Sequence, residues 1–159
     1  MKHLEVSQKI KLGKGVDAAR LKSALLERIE KTVEIESLEE GDEKFHIKGT
    51  TGTPASITRH ARINLDVAIV MEKDTAKILI SGYARMARSL ALFYAFFIFL
   101  FLLVGLLPGA ISSGPESGPL DVLVFLVLGI FIIVDTNKKL AEPKEFLREA
   151  LESMDTEFG

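Results

Sequence analysis

The residues Gly13-Lys14-Gly15-Val16-Asp17-Ala18 place a G-x-G-x-x-A pattern between an alternating segment and a helical one, with Glu34 and Glu36 about twenty residues on. In a dinucleotide-binding unit, that spacing lets a pyrophosphate sit on a helix N-terminus while the acidic residue takes the ribose. The first strand of such a unit is buried on both faces and reads as an unbroken apolar run. Here Leu4 to Leu12 alternate with Glu5, Ser7, Lys9 and Lys11, so the glycines are expected to make a tight strand-to-helix turn capped by Asp17. The stretch Lys48-Gly49-Thr50-Thr51-Gly52-Thr53-Pro54 looks like a phosphate-cradling loop, but it lacks G-x-x-x-x-G-K-[ST] and no helical pattern follows it. It reads as a connection.

His46 and His60, with Asp66, are the remaining acid–base or metal-ligand candidates. They fall on alternating segments among Lys48, Arg62 and Asn64, where the polar side of a strand is expected, and no H-x-x-x-H or H-E-x-x-H spacing accompanies them. No serine stands in a nucleophile elbow. The absence of cysteine excludes disulfides, thiolate metal sites and thiol nucleophiles. The expectation is a protein with no catalytic set, no cofactor and no metal.

The elements that position these residues follow from periodicity. Leu4, Val6, Ile10 and Leu12 share one side of a first strand. Asp17 then caps a helix whose apolar stripe is Ala18, Leu21, Leu25, Ile29 and Val33, with Val16 and Leu21 as a hydrophobic staple. Two short strands, 32–38 and 44–49, are joined by the Glu-rich turn at 39–43. A long strand runs from Ile57 to Met71, and Lys73-Asp74 turns it back into Ala76–Tyr83. The order is strand, helix and four strands.

The chain has 159 residues, with Lys+Arg 20 against Asp+Glu 22, so it has no overall basic signature for nucleic acid. Its mean hydropathy is positive, +0.26. Seven of the ten phenylalanines lie between Phe93 and Phe131, and this clustering separates an apolar part from a charged one. Residues 89–107 contain no charge, and at about 1.5 Å per residue they nearly match a hydrocarbon core of about 30 Å. A second apolar run, Val122–Val134, extends to 120–136 through its flanking residues. Between them, residues 108–119 are rich in Gly, Pro and Ser. These features predict a two-pass transmembrane hairpin, with a short extracytoplasmic loop.

Arg85 and Arg88 precede the first run and Lys138 and Lys139 follow the second, while the loop between holds no Lys or Arg. By the positive-inside rule both termini are then expected on the cytoplasmic side of the inner membrane, with these four cations near lipid headgroups. MKHLEVSQKI contains no apolar core of a signal peptide. Gly105, Gly109 and Gly129 offer small surfaces for helix–helix contact. Pro143 is read as opening a last amphipathic helix within 137–159, with Phe146, Leu147, Ala150, Leu151 and Met154 on one face, packing on domain 1–88 or on a partner. Residues 1–88 carry three more basic than acidic side chains, and 135–159 three more acidic than basic.

The expected fold class is an α+β membrane protein. In it, an antiparallel sheet is covered by helices in an order similar to helix-grip or TBP-like layouts, and the hairpin is inserted before the last helix. That layout carries no function by itself. The functional expectation is a non-enzymatic, membrane-anchored interaction or assembly subunit, either a homo-oligomer or an accessory part of a larger membrane complex, touching lipid and not nucleic acid. The alternative is a module at the cytoplasmic membrane face that holds a lipid or apolar small molecule between the sheet and the C-terminal helix.

Overall fold

A computed structural model describes residues 1–13, 15–41, 44–52, 60–106 and 118–159. Five strands, β1 (Lys2–Lys11), β2 (Val33–Glu40), β3 (Lys44–Thr51), β4 (Ala61–Glu72) and β5 (Thr75–Met86), form one antiparallel sheet in the order β1-β5-β4-β3-β2. The first strand therefore pairs with the last, with Val6 opposite Ile80 and Ile10 opposite Ala76. Among the described residues, three helices complete the α+β fold: α1 (Ala18–Glu30), α2 (Arg88–Leu106) and α3 (Gly118–Phe158).

Alternation decides which face is covered. Leu4, Ile10, Ile47, Ile63, Leu65, Ile78 and Ile80 are buried on one face of the sheet. Against them pack Leu21, Leu25 and Ile29 of α1 and Leu147, Leu151, Met154 and Phe158 of α3. The opposite face carries Lys48, Arg62, Asn64, Asp66 and Tyr83 on neighbouring strands. Asp17 caps α1 by accepting from Arg20 N at 2.8 Å. The glycine-rich turn is closed by Gly13 N donating to Phe158 O at 2.8 Å, so that amide is held by the end of α3. The same tail is fastened by Arg28, whose Nε donates to Ser153 Oγ at 2.8 Å and whose guanidinium also pairs with Glu157.

The structure corrects the transmembrane reading. Among the described residues no helix is long and apolar enough to cross a membrane. The first turns of α2 are covered by the protein itself: Leu90 and Tyr94 are buried, as is Ala87 just before the helix, and the twelve residues 95–106 beyond them cover only about 18 Å, against the roughly 30 Å a span needs. The second apolar run is also too short. It ends where Asp135 receives the Tyr94 hydroxyl, and its thirteen residues cover about 20 Å. The inserted two-pass hairpin, the integral-membrane character and the inner-membrane placement with both termini cytoplasmic are therefore not supported. Pro143 also does not open a helix. It lies inside α3, which runs unbroken for 41 residues, because the turns on either side of it are held by the domain: Leu140 and Phe146 both pack against the core.

Candidate interaction surface

The start of α2 is fixed by its connection to β5. Ala87 N donates to His60 O at 3.1 Å, and Ala91 N returns to Ala87 O at 3.1 Å, which sets the exit direction of the helix. Ala87, Leu90 and Tyr94 then lie on one face at helical spacing and are covered. Beyond them the helix is apolar on every side. Leu92 (70% exposed), Phe96 (59%), Phe99 (61%) and Leu103 (46%) recur along one side of the helix, Phe93 and Leu100 are exposed on one flank of that stripe and Ile98 and Leu102 on the other, and Phe93 and Phe97 stack with ring centroids 4.8 Å apart. The first half of α3 repeats the pattern, with Leu126, Ile130, Phe131, Ile133 and Val134 all more than half exposed. A helix that is apolar all round is one that other groups cover, and contiguous exposed apolar patches mark interaction sites.

A polar clasp joins the two helices of this arm. The Tyr94 hydroxyl donates to Asp135 Oδ2, and Lys139 Nζ lies 3.0 Å from the same oxygen, one turn along α3. One turn further on, Glu142 Oε2 lies 3.5 Å from His60 Nδ1. Burial, followed by the hydrogen bond to Asp135 and its charge, pushes the Tyr94 hydroxyl up from 10.0 to about 12. The Tyr94 hydrogen bond, followed by Lys139, holds the Asp135 carboxyl below its ordinary value despite its desolvation.

These shifts fix the pH dependence of the clasp. A phenol whose folded pKa is raised contributes stability that is complete below about pH 10 and disappears as pH rises through about 12. A carboxyl whose folded pKa is lowered contributes stability present above its unfolded value and lost as pH falls through its folded one. Tyr94→Phe is expected to cost about 1.5 kcal/mol at neutral pH, the lower end for a hydrogen bond to a charged group. It should also remove the alkaline loss between pH 10 and 12 from a denaturation series. An unchanged alkaline limb would show that the Tyr94–Asp135 bond does not hold the arm.

No family model and no curated protein matches the chain. A crystal structure of TTHA0849 from Thermus thermophilus aligns over 94% of this chain and 99% of that one, at 10% identity and a TM-score of 0.30. A likeness that weak carries no argument.

The residues singled out in the sequence distribute as follows. Arg85 lies one residue before the end of β5 and is exposed, and Arg88 begins α2. Lys139 belongs to the clasp, and Lys138 is exposed beside it. Leu147, Leu151 and Met154 are fully buried, Ala150 is buried, and Phe146 is half-buried beside His60 and Pro143. A Cβ added at Gly129 would meet nothing within 4 Å; Gly105 is near the end of α2, and Gly109 and the loop at 108–117 lie outside the described residues, as do Lys14, Thr53, Pro54 and Arg59. His46 Nδ1 meets Asp66 Oδ1 at 2.7 Å, directly across the β3–β4 pair, while His60 turns to α3 instead. Among the described residues no three His, Asp or Glu side chains gather as a metal site would require.

The Tyr94–Asp135 contact is not expected from the sequence, which places Asp135 at the edge of a span. A tyrosine at a helical multiple from Ala87 and Leu90, within an otherwise unbroken apolar run, is the available signal.

Proposed function

We propose that this protein is a non-enzymatic assembly subunit, in which the sheet domain carries an apolar helical arm, α2 with the first half of α3, that packs against the arms of further copies of the same chain. The observation behind this reading is the exposure of Phe96, Phe99, Leu126 and Phe131 on an arm whose two helices are joined by the half-buried Tyr94–Asp135–Lys139 clasp. Within one chain, among the described side chains of α2, only Leu90 and Tyr94 are buried. Burying the remaining apolar surface at about 25 cal/mol per Å² favours association, and aromatic side chains dominate such contacts.

The expected result is a discrete oligomer when the full chain is sized by light scattering in mild detergent. Phe99→Gln with Phe131→Gln should shift that species towards monomer, with Kd raised at least tenfold and the melting of the sheet domain unchanged. A monomer carrying a stoichiometric lipid or other apolar molecule would overturn self-assembly in favour of an apolar-ligand module, and an oligomer insensitive to the double substitution would place the interface elsewhere.

A further inference from the structure

The open face of the sheet, opposite both α1 and the tail of α3, contains a second feature that the assembly reading does not use. Arg62 and Arg85 are direct cross-strand partners on β4 and β5. Like charges placed so are destabilising unless something lies between them. Lys48 enters the same depression from β3, one pair along, in register with Asn64, which is itself in register with Tyr83. The depression is partly open, with a cavity volume of about 130 Å³.

Its acidic lining residue is Glu36. That carboxylate is already taken at 2.6 Å by the Thr50 hydroxyl and stands 3.8 Å from Arg62, while Arg85 has no ion-pair partner among the described residues. Lys48 reaches Glu39 only at 3.6 Å, with both side chains about half exposed or more. The lining of three cations and one carboxylate therefore has an excess of two positive charges.

At the base, Asn64 Nδ2 donates to the Tyr83 hydroxyl at 2.9 Å, which leaves the phenolic proton free to donate into the depression. Asn64 Oδ1 is buried and has no hydrogen-bond partner among the described residues. A buried acceptor left unmade is costly. The depression thus makes two demands: about two negative charges between the arginines, and one hydrogen-bond donor aimed at Asn64.

We infer that this depression binds a phosphate group carrying or adjoining a hydroxyl, with Arg62, Arg85 and Lys48 on its oxygens, Tyr83 donating to it, and Asn64 Oδ1 accepting from the hydroxyl. Hydrogen phosphate meets both demands, having about two negative charges and one P–OH at neutral pH, and so does a phosphate monoester with a hydroxyl beside the ester. Guanidinium groups suit phosphate through paired donors. Sulfate matches the charge but offers no donor to Asn64.

The test titrates inorganic phosphate and sulfate into the full chain at constant ionic strength, followed by calorimetry and by melting temperature. Phosphate is expected to bind at least fivefold more tightly than sulfate. Arg85→Gln, at an exposed position, should weaken phosphate about tenfold and, in the absence of phosphate, raise the melting temperature by relieving the Arg62–Arg85 pair. Asn64→Ala should abolish the preference over sulfate. Equal responses to the two anions, or a phosphate response that Arg85→Gln leaves intact, would overturn the assignment.

Two further arms identify the source of the group. Binding to glycerol phosphate assigns a soluble monoester, and binding only to phosphatidylcholine vesicles containing phosphatidic acid assigns a lipid headgroup. Binding to neither limits the site to inorganic phosphate. The assembly reading is tested by Phe99 and Phe131, which do not line this depression, so either inference can fail without the other.

Discussion

Gly82→Ala is expected to abolish cooperative folding of the sheet domain, or at least to remove more than about 3 kcal/mol of its stability. Gly82 lies in the middle of β5, opposite Leu65 on one side and Leu4 on the other. A Cβ built there would come within 2.0 Å of Asn64 O and 3.0 Å of Leu65 Cα. Those are backbone atoms of the adjacent strand, so no side-chain rotation relieves the clash, and the strands themselves must separate. Ordinary overpacking of a core costs about 1–3 kcal/mol where side chains can adjust, and here they cannot. Because β5 pairs with both β1 and β4, displacing it disrupts two ladders of a domain whose whole stability is of the order of 5–15 kcal/mol. Urea denaturation read by circular dichroism checks this, and a loss below about 1 kcal/mol would show that the strands can part there at little cost.

The second large effect is expected from Leu147→Ala with Leu151→Ala. Both leucines are fully buried and stand one turn apart on α3, facing the sheet beside Met154 and Phe158. Each truncation removes transfer free energy and leaves a cavity, at about 2–5 kcal/mol apiece. Neighbouring sites share partners, so the pair need not be additive, but the combined loss approaches the stability of the domain. The turn at Gly13, whose amide is bonded to Phe158 O, and the Arg28–Ser153 contact would be released with the tail. Hydrogen exchange distinguishes the routes: protection should be lost in β1 as well as in the tail of α3. If β1 stays protected while the tail opens alone, the helix is an attachment rather than part of the core.

What was legible in the sequence was local. Leu4, Ile10, Ile63, Leu65, Ile78 and Ile80 recur at the strand period, and that period follows from the alternation of Cβ atoms along any extended chain. Asp17 capping and the Leu21, Leu25, Ile29 stripe likewise depend only on neighbours within a few turns. The five strands, α1 and their sequence order were therefore readable, although β5 extends beyond the expected Ala76–Tyr83, and residues 57–59 of the long strand expected before it lie outside the described residues. The apolar runs were also readable as runs. Their use was not, because local hydropathy is the same whether a segment faces lipid, its own domain or another copy.

The tertiary structure decided what depends on residues far apart in the chain. It placed β1 beside β5, set Tyr94 against Asp135 across 41 residues, turned His60 to Glu142 and not to His46, and carried α3 through Pro143. It also brought Arg62 opposite Arg85 and put Asn64 between Lys48 and Tyr83. Composition and period determine which faces of each element must be buried, since both act through the nearest neighbours along the chain. Which surfaces meet is determined by the register of the whole sheet and the packing of the helices on it, and no short window of sequence contains that information.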